Sequence, residues 1–338
     1  MTPARLDEIL SRFGDLNIAV VGDFFLDKYL ELDPGLAEAS LETGLTAHQV
    51  VAVRNQPGAA GTVVANLCAL GAGRVRCLGF VGDDGEGYDL RRGLEAIGAD
   101  PSGLLVRADC FTPTYCKPMV REAGRVRELE RFDTKNRRST PPEVEEEIVS
   151  RLRRAAREVQ GVIALDQVQE AECGVITTRV RAALAELAEA HPKVVWFGDS
   201  RTRVGEYRNL TVKSNREETC RAAHPWRPSH RGTEIGPCAM ALARRTGRPA
   251  YVTVGAEGIV FATAEEARHV SGVPVTGEVD IVGAGDSATA ALVASLCAGG
   301  DPLEAALVAN LVASITIQQL GTTGTATPDQ VRARLAGR

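Results

Sequence analysis

The residues best placed to do chemistry are Gly283, Ala284, Gly285 and Asp286, at the end of the stretch DIVGAGD (280–286). β-like sequence precedes them. After them Ala, Leu and Val recur at helical spacing through Cys297, and Gly299-Gly300 ends the run. The pattern predicts a turn that opens a helix. Gly283 and Gly285 remove side chains where the backbone turns. The amides of 283–286 would lie at the positive end of that helix, a ready site for an anion. Asp286 is the informative residue, because a carboxylate there repels a phosphate unless it takes a proton from the group attacking that phosphate. Phosphoryl transfer needs both parts, donors for the transferred group and a base beside the acceptor hydroxyl. Two other readings use the same residues. Asp is favoured at helix starts for capping alone. Gly283-x-Gly285-x-x-Ala288 also fits a loose dinucleotide fingerprint, which wants an acid at the end of a following strand about 20 residues on. Here Asp301 follows a helix and a Gly-Gly break instead.

The elements that must position this turn follow a β-then-α rhythm. NIAVVGD (17–23) is a continuous apolar run, as in a strand buried on both faces, with Asp23 and Asp27 just beyond it. One of these acids would satisfy loop backbone and the other face a ligand. Gly58-Ala59-Ala60-Gly61 opens a helix to about Ala69, its small residues allowing close approach of chain or ligand. A strand then loop is expected at 74–84, strands at 161–166, 193–199, 209–215 and 250–255, and helices at about 142–158, 175–190, 216–223 and 302–319. Such a rhythm argues for one parallel sheet covered on both faces. Asp166, Asp199 and Asn215 stand at strand ends, where ligands gather in such folds. Segments 28–56 and 110–133 break the rhythm with strand-like content, the second around Glu122-Ala123-Gly124. Together they would form a small antiparallel sheet outside the main layer. HPWRPSHRG (224–232) reads as a polar loop.

The 338 residues are 44% hydrophobic and 25% charged, which suits one large domain or two small ones. The net charge of −5 argues against nucleic acid as a partner. Apolar runs stop short of the ~18 residues of a membrane span, and the acid-bearing start is unlike a leader peptide, so a cytoplasmic protein is expected. The eight cysteines include no C-x-x-C and only five histidines accompany them, which disfavours a zinc site.

In this order the motifs resemble the ribokinase-like (PfkB) family of carbohydrate kinases. DIVGAGD is similar to the family's C-terminal signature. Gly22-Asp23-x-x-x-Asp27 resembles its N-terminal sugar loop, and PGAAGTVVAN (57–66) its glycine-rich sugar segment. Asn215-x-x-Glu218 matches its N-x-x-E motif, and Thr253-x-Gly255-x-x-Gly258 its nucleotide loop. GDFFLDKY (22–29) and Leu320-Gly321-Thr322-Thr323 are most similar to the heptose 7-phosphate kinase branch. The resemblance implies a three-layer α/β/α fold with a mainly parallel central sheet and a small β-sheet lid. Residues 1–338 would form one kinase domain, with the lid in the two segments that broke the rhythm.

It also implies roles. Asp286 would deprotonate the acceptor hydroxyl, with Gly283, Ala284 and Gly285 amides stabilising the transferred phosphoryl group. Asp23, Asp27, Gly58, Ala59, Thr62, Asn66 and Asp166 would lie on the sugar side. Asp27 would accept two hydrogen bonds from a diol. Asn215 and Glu218 would order Mg²⁺ through water. Thr253, Gly255, Gly258 and Asn310 would line the ATP site. A monovalent cation and a homodimer formed through the lid are further implications. Structural alternatives stay open. Asn215 and Glu218 have capping-box spacing, Gly255 and Gly258 suit a hairpin turn, and the charge run 121–135 is either a solvated lid face or a site for a phosphate already on the substrate. The chain departs from the family pattern at Thr62, where the family often has Asn, at Val282, where Thr is common, and at Ser200-Arg201, where the heptose branch has Pro-Lys. Expected, then, is an ATP- and Mg²⁺-dependent sugar or sugar-phosphate kinase. The rivals are a nucleoside kinase on the same fold and a kinase-like sugar-binding protein without turnover.

Overall fold

Asn17–Gly22 is apolar at every position after the first because both of its faces are covered. Ile18 and Val20 enter one core, Ala19 and Val21 the other, and all four are fully buried. Each such Ile or Val contributes about 1.5–3 kcal/mol through burial. Gly161–Asp166 repeats the scheme, with Ile163 and Leu165 on one side and Val162 and Ala164 on the other. The structure, a computed structural model, describes residues 1–122, 125–225 and 234–337. Residues 123 and 124 of the expected lid turn, and most of the polar loop from 224, lie outside the described residues.

From the N-terminus come α1 (Pro3–Ser11), β1 (Asn17–Gly22), β2 (Phe24–Ala39), β3 (Thr46–Ala59), α2 (Ala60–Ala69), β4 (Arg74–Gly82), α3 (Gly85–Ala96) and β5 (Leu104–Arg107). Then follow β6 (Thr114–Glu122), β7 (Arg125–Glu128), β8 (Phe132–Thr134), α4 (Pro142–Ala155), β9 (Gly161–Asp166), α5 (Thr178–Ala190), β10 (Val195–Ser200) and β11 (Thr211–Asn215). The chain continues with α6 (Arg216–Ala223), α7 (Ile235–Thr246), β12 (Ala250–Thr253), β13 (Gly258–Ala262), β14 (Ala267–Ser271), α8 (Ala284–Cys297), α9 (Pro302–Thr316) and α10 (Pro328–Ala336).

The main sheet runs β14-β13-β12-β11-β10-β9-β1-β4-β5, parallel from β5 to β12 and antiparallel at the last two pairings. One core gathers α1, α2, α3, α8, α9 and α10 on one face. The other gathers α4, α5 and α7 on the opposite face. This is the three-layer arrangement with a mainly parallel sheet that the sequence predicts. The lid is a separate sheet ordered β3-β2-β6-β7, with β8 against β6. Its β2–β6 pairing is parallel, so it is not antiparallel throughout as expected. It also starts earlier than expected, at Phe24, because Phe24 to Asp27 are buried and pair with Gln56 to Ala59. Only Ala267–Ser271 of the β-like run before the Gly283 turn is strand. The rest crosses as a loop with Val279, Ile281 and Val282 exposed. Among the described residues, no helix is long and apolar enough to cross a membrane.

Candidate active site

Gly283 adopts φ +80°, a left-handed value that suits glycine, and N-caps α8. A Cβ there would come within 3.4 Å of Thr62 and Thr323, so the turn packs against the sugar segment as well. The Ala284 amide bonds the Ile281 carbonyl at 3.2 Å. This departs from the expected set of three open amides, because the turn closes on itself through Ala284. Among the described residues the amides of Gly283, Gly285 and Asp286 have no backbone acceptor, and they remain for an anion at the helix N-terminus.

Asp286 lines a cavity of about 670 Å³ with Gly283, Gly285, Asn215, Glu218 and Thr253. Gly255, Gly258 and Asn310 complete the predicted nucleotide side. Solvent reaches Asp286 through the cavity while protein packs around the rest of it. Burial pushes its pKa up to about 7, Lys213 and Arg201 pull it down, and Asp199 and Asp27 push it up. Asn215 and Glu218 form a full capping box on α6, each side chain meeting the other's backbone N–H at 2.9 Å. The structural alternative therefore holds, yet both residues also face the cavity. Burial, with Asp199 next, raises the Glu218 pKa. Gly255 (φ +66°) and Gly258 (φ +108°) turn the chain from β12 into antiparallel β13, so they are hairpin glycines as well as cavity wall. Thr253 Oγ1 bonds the Ser214 carbonyl at 3.4 Å. Asn310 ties α9 to β14 through the Val270 and Ser271 carbonyls, at 3.0 and 3.1 Å.

A second cavity, about 380 Å³, lies between the lid and the strand ends, lined by Phe24, Phe25, Tyr115, Arg131, Lys135 and Asp23 among others. Asp23 reaches this wall with both oxygens taken, Oδ1 by the Val175 amide and Oδ2 by those of Gln167 and Val168, at 2.7–2.9 Å. It is the acid that satisfies loop backbone, and it also stands on the wall of this cavity. Asp166 is likewise held by protein partners, and like Asp27, Gly58, Ala59, Thr62 and Asn66 it is on the wall of neither cavity. It is buried under Ser200 Oγ at 2.7 Å and Arg203.

Asp27 is buried, with Lys117 Nζ 3.2 Å from Oδ1, and desolvation raises its pKa against the pull of Lys117. A Cβ on Gly58 would stand 3.0 Å from Asp27 Oδ2, so the two expected sugar elements abut. Ala59 carries the strain of the segment, at φ 52° and ψ −115°. The Thr62 hydroxyl faces the Pro57 carbonyl at 3.5 Å. Asn66 lies one turn deeper, fully buried, and donates to the Thr62 and Gly324 carbonyls. Its Nδ2 thereby braces the segment, while its Oδ1 has no partner among the described residues.

Three contributors were not assigned from sequence. Lys213 is buried 2.7 Å from Asp199 and 3.3 Å from the Gly285 carbonyl. A charged residue inside an otherwise buried strand was the available signal. Gln167 and Arg201 line both cavities. In the sequence Arg201 shows only as a departure from the heptose branch.

Comparison with known proteins agrees with this architecture. Residues 214–330 match the pfkB family carbohydrate kinase model. The chain is 31% identical over 329 residues to the bifunctional protein HldE of Azorhizobium caulinodans, covering 94% of this chain and 64% of that protein. It is 28% identical over 323 residues to the HldE of Desulfatibacillum aliphaticivorans, covering 95% and 63%. The chain thus spans somewhat less than two thirds of the length of these curated relatives. Among solved structures it is similar to Arabidopsis thaliana ribokinase complexed with ribose and ATP, with a TM-score of 0.68, 17% identity and coverage of 95% and 98%. It is also similar to Escherichia coli phosphofructokinase-2 in complex with potassium, with a TM-score of 0.71, 16% identity and coverage of 95% and 99%.

Proposed function

We propose, from the premise that this chain carries a pfkB family domain on a ribokinase fold, that it transfers the γ-phosphoryl group of ATP to a hydroxyl of a sugar or sugar phosphate. The observation that carries this reading is one cavity that gathers Asp286 and the Gly283 turn with the predicted nucleotide residues and shares Gln167 and Arg201 with a second cavity at the lid. A nucleotide in the larger would lie along Thr253, Gly255, Gly258 and Asn310. A neighbour of the same fold solved with ribose and ATP supports that use.

An acceptor in the smaller cavity would rest on Phe24, Phe25 and Tyr115, and Asp27, further along β2 and on the wall of neither cavity, is the carboxylate proposed to hold a diol. Lys135 on the same wall, with Arg131 beyond its two bonds to Asp133, suits a phosphate already on the acceptor, in line with a heptose 7-phosphate-like substrate. Asp286 takes the acceptor proton as the oxygen approaches phosphorus in line. The open amides of Gly283 and Gly285 meet the charge that develops on the phosphoryl oxygens. Closing the lid over the acceptor excludes water as a competing nucleophile. Glu218 has one carboxylate oxygen outside its capping bond, and with Asn215 it fits a water-bound Mg²⁺. That ion supplies charge neutralisation on the phosphates. Exposed Val51 and Val53 on the lid suit pairing with a second copy.

The test is ADP release from Mg-ATP across ribose, fructose, fructose 6-phosphate, adenosine and heptose 7-phosphate, with Asp286→Asn as control. Turnover on a phosphorylated sugar that vanishes in the variant is expected. ATP binding with no turnover on any acceptor would favour a sugar-binding protein instead.

A further inference from the structure

The nucleotide-side and acceptor-side cavities share two lining residues, Gln167 and Arg201. Arg201 is built to stay at that shared wall. It follows β10 directly, its backbone N–H donates to the Asp166 carbonyl at 3.1 Å, and its own carbonyl accepts from Arg221 Nη2 at 2.8 Å. The guanidinium, by contrast, is exposed to the cavities and makes no ion pair with a carboxylate among the described residues. Its partner is the neutral Gln167. With that amide turned so that Oε1 faces it, Gln167 accepts from Arg201 Nε at 3.0 Å and Nη2 at 3.3 Å. Gln167 is held in turn by its backbone amide on Asp23 at 2.8 Å. Other arginines at this end of the sheet are neutralised, Arg203 by Asp166 and Arg181 by Glu206.

We propose that Arg201 is a catalytic residue, an arginine that meets the phosphoryl group in flight between the two cavities. This rests on the kinase reading of the site. During transfer the bond from the γ-phosphorus to the β–γ bridging oxygen breaks and a bond to the acceptor oxygen forms. The acceptor proton goes to Asp286 and ADP leaves. Negative charge spreads over the equatorial oxygens and the leaving oxygen as this happens. A guanidinium with no competing carboxylate presents a planar fork of donors to those oxygens. Asp286, Glu218 and Tyr115 are each raised in pKa by burial, and Arg201 is among the charges that oppose that rise in all three.

The experiment compares Arg201→Gln and Arg201→Lys with the unaltered protein by steady-state ADP release and by calorimetric binding of MgADP with and without aluminium fluoride, a mimic of the phosphoryl group in transfer. Expected for Arg201→Gln is a fall in kcat of about 10²–10³-fold with KM for ATP close to that of the unaltered protein. The gain in MgADP affinity on adding aluminium fluoride is lost, while MgADP alone binds as before. Arg201→Lys keeps the charge without the fork and recovers part of kcat. Arg201 is exposed, so the variants are expected to fold. An unchanged kcat, or a rise in acceptor KM alone, overturns the proposal while leaving the kinase reading intact. An unaltered protein that binds no MgATP overturns both.

Discussion

The Lys213 ammonium lies 2.7 Å from Asp199 Oδ2, and this pairing sets it 3.3 Å from the Gly285 carbonyl at the start of α8. Thr289 Oγ1 completes the clamp by meeting Asp199 Oδ2 at 3.0 Å and the same carbonyl at 3.1 Å. The start of α8 is thus fastened to β10 and β11. Replacing one partner leaves the other charge buried and alone. Lys213→Met is expected to cost about 3–5 kcal/mol, read as a lower urea midpoint. Asp199→Asn/Lys213→Met is expected to recover most of that loss, because no uncompensated charge remains. Equal losses in the single and double variants would refute the clamp.

Asp286 must be ionised to accept a proton, and its pKa is pushed up to about 7. The rate at saturating substrates should therefore climb with pH through an acid limb near neutrality. The same shift has a stability sign. A carboxylic acid with a folded pKa above its unfolded value favours the fold when protonated, so stability falls as pH rises from about 4 to about 7. Asp286→Asn removes that cost. It is expected to be inactive yet more stable at pH 8, by on the order of 1–3 kcal/mol. Denaturant titrations of both proteins at pH 5 and pH 8 check this, and a gap that does not widen with pH would contradict it.

Glu218 combines a cap with a cavity-facing carboxylate, and Glu218→Gln separates the two. Gln can still accept the Asn215 N–H, so thermal stability is expected to change by less than about 1 kcal/mol. The charge toward a hydrated cation is lost, so the Mg²⁺ concentration for half-maximal rate should rise. A variant with unaltered Mg²⁺ response would confine Glu218 to capping.

Ala59 holds a backbone conformation suited to glycine, φ 52° and ψ −115°, at the N-cap of α2. Such strain costs on the order of 1–3 kcal/mol. Ala59→Gly relieves it at the expense of a more flexible unfolded chain. A net gain of about 0.5–2 kcal/mol is expected, measured by chemical denaturation. A loss of stability would mean that the Ala59 methyl contributes more through packing than the strain removes.

Local signals were legible wherever a residue's role depends on its near neighbours. The left-handed Gly283, the Asn215–Glu218 cap and the hairpin glycines 255 and 258 each act within a few residues, and spacing alone identifies them. The β-then-α rhythm likewise predicts the parallel sheet, since burial of both faces demands apolar runs such as 17–22.

The strand-end acids were not separable in this way. Asp23, Asp166 and Asp199 occupy equivalent places in sequence, but each meets a different partner: loop amides, Arg203 and Ser200, and Lys213. Asp199 and Lys213 pair because β10 and β11 align them across the sheet. Arg201 and Gln167 meet because β10 and β9 lie side by side. The sequence by itself determined the sheet and the glycine turn that opens α8 with Asp286 in its first turn, all written in local spacing and apolar period. Only the tertiary structure decided which charges cancel inside the fold and which remain open to a ligand. That outcome depends on the register between strands distant in sequence, and no local pattern records it.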